Sequence, residues 1–221
     1  MMWMAIDTSG ERCSVALETE AGLLLRQTDA PRQHARSVAP FMHELLKEAG
    51  GNGPDGAANA RAALTGVVVV AGPGSYTGLR IGISSAKGLC FALGIPLHAL
   101  STLDYLVGSA GVAPNTSVFA IERARRGELH VGGAGLPDQV MEDAAFRDLL
   151  HGADAILVVR DPRLADELID ANFVAPERIR IVHPDARNAI HIVRSAPHSY
   201  LVHDMAPFEP FYLKDFVARS A

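Results

Sequence analysis

The sequence is poor in cysteine and contains no long apolar run. Cys13 and Cys90 are its only two cysteines, too few for a disulfide framework or for a zinc site built on thiolates. The purest apolar run, Val67 to Ala71, falls far short of the ~20 residues that a membrane-spanning helix requires. The first residues carry no basic segment and no cleavage signal, which predicts a cytoplasmic protein with no membrane contact.

Basic residues are outnumbered by acidic ones. Lys and Arg total 20 against 25 for Asp and Glu, which gives a formal net charge of −5. Such a chain is a poor nucleic-acid binder by itself, because neutralising phosphates requires clustered Lys and Arg. One small cluster, Arg123, Arg125 and Arg126, lies at a predicted hairpin turn; most such clusters are solvated, and a minority contact phosphates. A hydrophobic content of 48% excludes a disordered chain.

The common catalytic and metal-binding patterns are also missing. None of the nine histidines forms an H-E-x-x-H or H-x-x-x-H pair, which argues against a zinc site. No G-x-S-x-G nucleophile elbow is present. We therefore predict no catalytic residue, no metal and no cofactor.

Hydrophobic periodicity predicts an α/β protein. Period-two alternation and short turns near the start predict three antiparallel strands, and a later stripe predicts a helix from about Ala35 to Ala49. The Gly- and Pro-containing stretch Gly50 to Asn59 is typical of a loop. Val67 to Ala71 predicts a strand buried on both faces, and Tyr76 to Leu93 a helix that ends at Gly94.

The second half predicts a similar set of elements. These are a hairpin (117–121 and 128–132), a strand (155–159), a helix from Pro162 to Ala171, a strand (179–182) and a helix (186–194). We place an N-terminal lobe at residues 1–110 and a C-terminal lobe at residues 111–221. The sequence leaves open whether the last residues return to the N-terminal lobe.

A short internal repeat supports two related halves. Met4-Ala5-Ile6-Asp7 and Phe119-Ala120-Ile121-Glu122, about 115 positions apart, both place an acid at the end of a strand that leads into a turn and a second strand. A match over four residues is weak evidence alone, but it suggests a duplicated α/β unit.

The strongest local motif is the glycine-rich segment from Gly72 to Gly82. A buried strand, a glycine turn and a helix N-terminus together form a natural anion site, although the segment matches neither the phosphate-loop nor the dinucleotide fingerprint. The alternative is that its glycines allow close packing, because Gly78, Gly82 and Ala86 lie four residues apart on one helix face. Both interpretations stay open.

A second candidate for phosphate binding is the acid and two hydroxyls at the end of the first predicted strand. Such a group could hold a metal-bound phosphate, yet Asp and Ser are also ordinary turn residues. The combined degenerate phosphate or nucleotide site consists of Asp7, Thr8, Ser9, Gly72, Gly74 and Ser75.

The run G-P-G-S-Y-T-G-L-R-I-G at Gly72–Gly82, with Asp7-Thr8-Ser9 before it, closely resembles the bacterial TsaB (YeaZ) family. The hairpin Glu122–His130 and the segment Pro210–Lys214 also match, although Glu122-Arg123 replaces the family's Asp and His130 replaces its Tyr. The resemblance implies a two-lobed fold of the actin/Hsp70/sugar-kinase (ASKHA) superfamily, built from a duplicated unit.

The resemblance also implies a function without a catalytic centre in this chain. TsaB-like proteins support a TsaD-like catalytic subunit, which with a TsaE-like ATPase installs threonylcarbamoyl on the adenosine beside the anticodon; contact with transfer RNA is expected only within that complex. TsaD carries an H-x-x-x-H pair after the strand that corresponds to residues 97–100, where this chain reads Ser101-Thr102-Leu103-Asp104-Tyr105. The alternatives are a metal-dependent glycoprotease-type peptidase and a small-molecule kinase of the same superfamily. The kinase would require phosphate loops in both halves, and only the first half has one.

The resemblance finally implies an interface on two helices. TsaB-like proteins use this helix pair to contact TsaD or a second copy of themselves, so we expect a homodimer that TsaD disrupts by replacing one copy. On this interpretation Ala86→Glu gives a folded monomer. The expected interface residues are Val38, Phe41, Met42, Leu45, Gly78, Leu79, Gly82, Ile83 and Ala86.

Overall fold

The chain divides into two structural units, each with its own five-stranded sheet. The computed structural model describes residues 2–30, 34–51, 53, 55–113 and 115–213. The first unit runs to Tyr105 and includes Pro184–Pro210, and the second comprises Leu106–His183 and residues 211–213. No helix in these described ranges is long and apolar enough to cross a membrane.

Ten strands and seven α-helices form the two units in the described part of the chain. The strands are β1 (Met2–Asp7), β2 (Cys13–Thr19), β3 (Gly22–Thr28), β4 (Leu64–Gly72), β5 (Leu97–Ser101), β6 (Ser117–Arg125), β7 (Glu128–Gly133), β8 (Leu136–Glu142), β9 (Ala155–Val159) and β10 (Ile179–Ile181). The helices are α1 (His34–Gly50), α2 (Gly56–Ala62), α3 (Tyr76–Leu93), α4 (Thr102–Gly108), α5 (Asp143–Leu150), α6 (Pro162–Asp170) and α7 (Ala186–Ser195).

The first sheet has the order β3-β2-β1-β4-β5. β1 pairs antiparallel with β2 and parallel with β4, and Ile6 lies opposite both Val15 and Val69. One face of this sheet packs on α7. There, Trp3 of β1 and Val68 of β4 share a hydrophobic core with Ile190 of the helix. α1 and α3 pack against β2 and β4. Helices on the sheet explain why β4 is an unbroken apolar strand.

The second sheet repeats this arrangement. Its order is β10-β9-β6-β7-β8, and β6 pairs antiparallel with β7 and parallel with β9. Its core includes an edge-on contact between Phe119 and Phe146, with ring centroids 5.9 Å apart. The two segments of the internal repeat lie in the equivalent central strands: Asp7 ends β1, whereas Glu122 lies three residues before the end of β6 and not at the strand end that the sequence predicts. The α/β fold built from a duplicated unit is therefore confirmed.

Four elements differ from the sequence expectations. α2 begins at Gly56, inside the stretch expected to be a loop, and β8 and α5 were not predicted. β8 is a half-exposed edge strand with a proline, so it lacks the apolar run of a central strand. α7, which the boundary at residue 110 places in the C-terminal lobe, lies in the first unit because its apolar face covers the first sheet.

Candidate functional site

The end of β1 meets the start of α3, which brings together the residues of the candidate phosphate site. Asp7 is buried, with 4% of its surface exposed. Its Oδ1 accepts hydrogen bonds from the backbone N–H of Ser9 at 2.9 Å and from the Ser9 hydroxyl at 2.7 Å. Asp7 thus orders the turn that follows its own strand, as Asp commonly does.

The glycines of the motif allow this turn to lie against α3. A Cβ at Gly78 would overlap the backbone oxygen of Thr8, and a Cβ at Gly82 would overlap the Thr8 hydroxyl. That hydroxyl donates a 2.7 Å hydrogen bond to the carbonyl oxygen of Gly78. A Cβ at Gly74 would likewise overlap the backbone oxygen of Ser9. Close approach of two backbones is therefore a sufficient reason for glycine at Gly74 and Gly78, and close approach of the Thr8 side chain is the reason at Gly82.

Part of the hydrogen-bonding capacity that a phosphate would need is already used within the protein. The backbone N–H of Ser75 donates to the carbonyl of Ser9 at 2.8 Å, and the Ser75 hydroxyl accepts from the N–H of Gly78 at 3.2 Å. Ser75 is the N-cap of α3 and satisfies one of its open donors. Of the two interpretations that the sequence leaves open, these contacts favour packing.

No group of side chains suited to a metal ion is present in the described ranges, where three or more His, Cys, Asp or Glu nowhere come together. Both thiols are buried. Burial raises the pKa of each to about 12, and the nearby Asp7 carboxylate adds to the effect at Cys13. A thiol with such a pKa is not a nucleophile at neutral pH.

Seven of the nine expected interface residues lie in the core of the first unit rather than on its surface, and this corrects the sequence interpretation. They are Val38, Leu45, Gly78, Leu79, Gly82, Ile83 and Ala86. The stripes of α1 and α3 pack on the unit's own sheet, as amphipathic helices do. Phe41 and Met42 are half-buried. Ala86 has no exposed surface, so a docking surface must use a different side of α3.

The opposite side of α3 faces solvent and carries small and apolar residues together with one exposed cation, Arg80. We define the outer face of α3 as Thr77, Ile81, Ser84, Gly88 and Phe91, which recur at intervals of three and four residues. Ile81 is half-buried and the other four are exposed; Phe91 is 86% exposed. Among the described residues, Phe91 is the most exposed large apolar side chain.

A groove of about 440 Å³ borders the outer face on the side of α1. Its lining consists of Ala35, Tyr76, Thr77, Arg80, Ile81, Ser84 and Ser85. The guanidinium of Arg80 lies over the Tyr76 ring, 4.5 Å from its centroid, and this contact holds both long side chains at the mouth of the groove. Sequence reasoning missed Tyr76, Ser84 and Phe91. The available signal was Phe91, an aromatic residue that falls outside the buried stripe.

The basic cluster of the second unit is largely neutralised by acids. Arg123 pairs with Asp143 at 3.1 Å and with Glu167 at 2.5 Å, and Arg125 pairs with Glu128 at 2.8 Å. Two of its three guanidiniums are therefore already engaged.

Comparisons with known proteins agree with the fold and the motif. The sequence model of the family described as "TsaD: tRNA N6-adenosine threonylcarbamoyltransferase" matches residues 27–168, more than half of the chain. A Bacillus subtilis protein named tRNA threonylcarbamoyladenosine biosynthesis protein TsaB is 34% identical over 148 residues, which cover 65% of this chain and 61% of that protein. The chain thus matches less than two thirds of this relative's length.

Two further similarities are to a protein with the name of a transferase and to a solved structure. A Sorangium cellulosum protein named tRNA N6-adenosine threonylcarbamoyltransferase is 37% identical over 97 residues, covering 44% of this chain and 24% of that protein. A Pseudomonas aeruginosa crystal structure, described as a protein with similarity to peptidase YeaZ, superimposes with a TM-score of 0.75 at 27% identity, covering 96% of this chain and 99% of that one. The chain belongs to the threonylcarbamoyltransferase-related family and, within it, to the TsaB/YeaZ group.

Proposed function

We propose that this chain is a TsaB-type biosynthesis protein for threonylcarbamoyladenosine in transfer RNA, acting as a non-catalytic subunit. On this proposal it binds and supports a TsaD-like catalytic subunit, and a TsaE-like ATPase completes the assembly. The chain alone is a cytoplasmic homodimer, and transfer RNA is contacted only within the complex.

The observation that carries the proposal is the outer face of α3. It is an accessible surface of small and apolar residues with a single cation, Arg80, beside its centre, and it ends in an almost fully exposed aromatic ring. Small residues such as Ser84 and Gly88 let a second helix approach closely, while Phe91 offers an apolar anchor of the kind found at interface centres.

The similarity to a protein named as a threonylcarbamoyltransferase supports a TsaD-like subunit as the partner. A TsaD-like subunit that shares this α/β unit carries its own counterparts of α1 and α3. Two related chains can then pair face to face through equivalent helices, as two identical copies do in a symmetric dimer. This explains how one surface serves a homodimer and, when TsaD is present, a heterodimer.

The β1–α3 junction supports a role that does not require catalysis by the chain itself. The Asp7 carboxylate accepts a hydrogen bond from the turn that follows β1 and is buried rather than exposed to solvent. Gly78 and Gly82 allow that turn to pack closely against α3. These residues hold α3 in position on the sheet and so present its outer face.

The test is binding of a purified TsaD-like subunit to the wild-type chain and to two serine variants. Ser84→Arg places a long charged side chain at the centre of the outer face and should weaken binding at least about tenfold, because a desolvated charge without a partner is costly at an interface. Ser195→Arg makes the same change at an exposed serine at the end of α7 and should bind normally. Equal binding by both variants would contradict the proposed surface.

A nucleotide titration separates the proposal from the kinase alternative. A small-molecule kinase must bind ATP by itself, whereas the packed glycine motif predicts no heat of binding in calorimetry at millimolar ATP. Tight ATP binding that is lost in Asp7→Ala would instead favour the kinase.

A further inference from the structure

The segment after α7 runs back along the first unit and contacts both an edge strand and α3. We define the strap as residues 201–208. Leu201 forms an isolated antiparallel bridge with His98 of β5, and the N–H of Val202 donates to the carbonyl of Leu97 at 2.9 Å. β5 is an edge strand of its sheet, so this pairing covers backbone groups that would otherwise be open to another chain.

Further along, the strap is held by one side chain of α3. The ammonium of Lys87 donates hydrogen bonds to the carbonyl oxygens of Ala206 at 2.9 Å and Phe208 at 3.0 Å. Hydrogen bonds from a charged donor are the stronger kind, and a lysine ammonium can serve two acceptors at once. The strap is thus anchored at its start by β5 and at its end by Lys87.

The position of Lys87 places the strap beside the outer face of α3. At 100° per residue, Lys87 lies about 60° to one side of Ser84, and Ile81 lies about 60° to the other. Ile81 borders the groove that Ala35 of α1 also lines. The outer face is therefore flanked by α1 on one side and by the strap on the other, and Phe91 lies one turn beyond Lys87 on the helix.

We infer that the strap is a third component of the partner-binding surface and that Lys87 is the positioning residue that holds it there. The inference rests on the proposed function, because the occupant is the TsaD-like subunit seated on the outer face of α3. A chain that covers Ser84, Gly88 and Phe91 also meets the strap, so binding buries strap residues and depends on their being held in place.

The first arm of the test measures the strap in the free protein. Hydrogen exchange of the amides in residues 201–208 should become at least about tenfold faster in Lys87→Met, which keeps the aliphatic chain but removes the ammonium, and should return toward wild type in Lys87→Arg. Lys47→Met, on an exposed position of α1, should leave strap exchange unchanged. Unchanged exchange in Lys87→Met would overturn the anchoring role.

The second arm measures the TsaD-like subunit's affinity and strap exchange in the complex. Lys87→Met should weaken binding about tenfold without a matching loss of thermal stability, Lys87→Arg should recover most of it, and strap amides should gain protection on binding. Normal affinity with a loosened strap, or protection that arises only from concentration-dependent homodimers, would overturn the strap's place in the surface. Failure of the wild-type chain to bind would instead reject the proposed function, while the first arm still decides the role of Lys87.

Discussion

At the scale of single residues, the most demanding contacts are those where backbone approaches backbone. Gly78 accepts the Thr8 hydroxyl on its carbonyl and leaves no room for a side chain, whereas Gly88, ten residues along the same helix, has open space around it. Identical substitutions at these two positions should therefore have opposite effects.

Gly78→Ala should lower the free energy of unfolding by about 1–3 kcal/mol, because its Cβ must displace the backbone of Thr8. Gly88→Ala should raise it by about 0.5–1 kcal/mol, since alanine restricts the unfolded chain and meets nothing in the helix. Urea unfolding of both variants checks this. A destabilised Gly88→Ala, or an unaffected Gly78→Ala, would show that the packing at the β1–α3 junction is wrongly described.

A buried histidine makes stability depend on pH. Burial is the main cause that lowers the pKa of His98 from its ordinary value of 6.5; the ring centroid lies 4.7 Å from that of Trp3, and its Nδ1 has no hydrogen-bond partner among the residues that the structure describes. The pKa of His130 is lowered in the same direction, also by burial. The unfolded chain therefore binds these protons more readily than the folded one, and protonation favours unfolding.

We expect the free energy of unfolding to be highest above pH 6.5 and to fall as the pH drops below it, by up to about 1.4 kcal/mol per pH unit for each histidine. His98→Phe should flatten this slope, and His43→Phe, at an exposed position of α1, should not. Denaturant titrations from pH 7.5 to 5.0 measure the slopes. A slope that His98→Phe leaves unchanged would exclude His98 as its source.

At the scale of elements, α3 has two sides with different tasks. The side that carries Leu79, Ile83 and Ala86 packs within the first unit, and the side that carries Ser84 and Phe91 faces solvent. The cations Arg80 and Lys87 lie toward the solvent side, but small and apolar residues occur on both sides.

Ala86→Glu should therefore unfold or strongly destabilise the chain, by about 3–5 kcal/mol, because it buries a carboxylate without a partner. This replaces the expectation of a folded monomer. Thermal melting and light scattering of Ala86→Glu and Ser84→Arg check it: Ser84→Arg should stay folded as a monomer, with a melting temperature much closer to that of the wild type than that of Ala86→Glu. A stable, folded Ala86→Glu monomer would show that Ala86 belongs to the interface and not to the core.

At the scale of the whole molecule, charge limits what the chain can bind. Its net charge is −5, and Arg123 and Arg125 are paired with acids. Two guanidiniums of the basic cluster are thus already paired, which limits what this cluster can contribute to displacing counterions from a phosphate backbone.

The isolated chain should bind transfer RNA with a dissociation constant weaker than about 1 μM at physiological salt, and binding should weaken further as salt increases. Filter binding at several salt concentrations measures this, with Arg126→Ala as the variant that tests the remaining cluster. Submicromolar affinity for the wild-type chain would contradict this expectation.

The sequence by itself determined the elements whose signals are local. The alternation in β2, the apolar run of β4 and the Ser75 and Gly94 boundaries of α3 depend on neighbouring residues alone, and the structure has each of them. The repeat at Asp7 and Glu122 likewise pointed to the duplication. Short or edge elements such as α2 and β8 lack such signals, because they are stabilised mainly by what packs against them.

Only the tertiary structure decided which apolar side of α3 is core and which is surface. Both sides contain small and apolar residues, and burial depends on where β1 and β4 lie, which no local pattern specifies. The same holds for α7, because its apolar face could pack on the sheet of either unit and only the fold decides which. It also holds for Lys87, whose carbonyl partners are about 120 residues away in the sequence. Contacts between residues so distant in the sequence are a property of the folded chain, since each partner alone looks like ordinary surface.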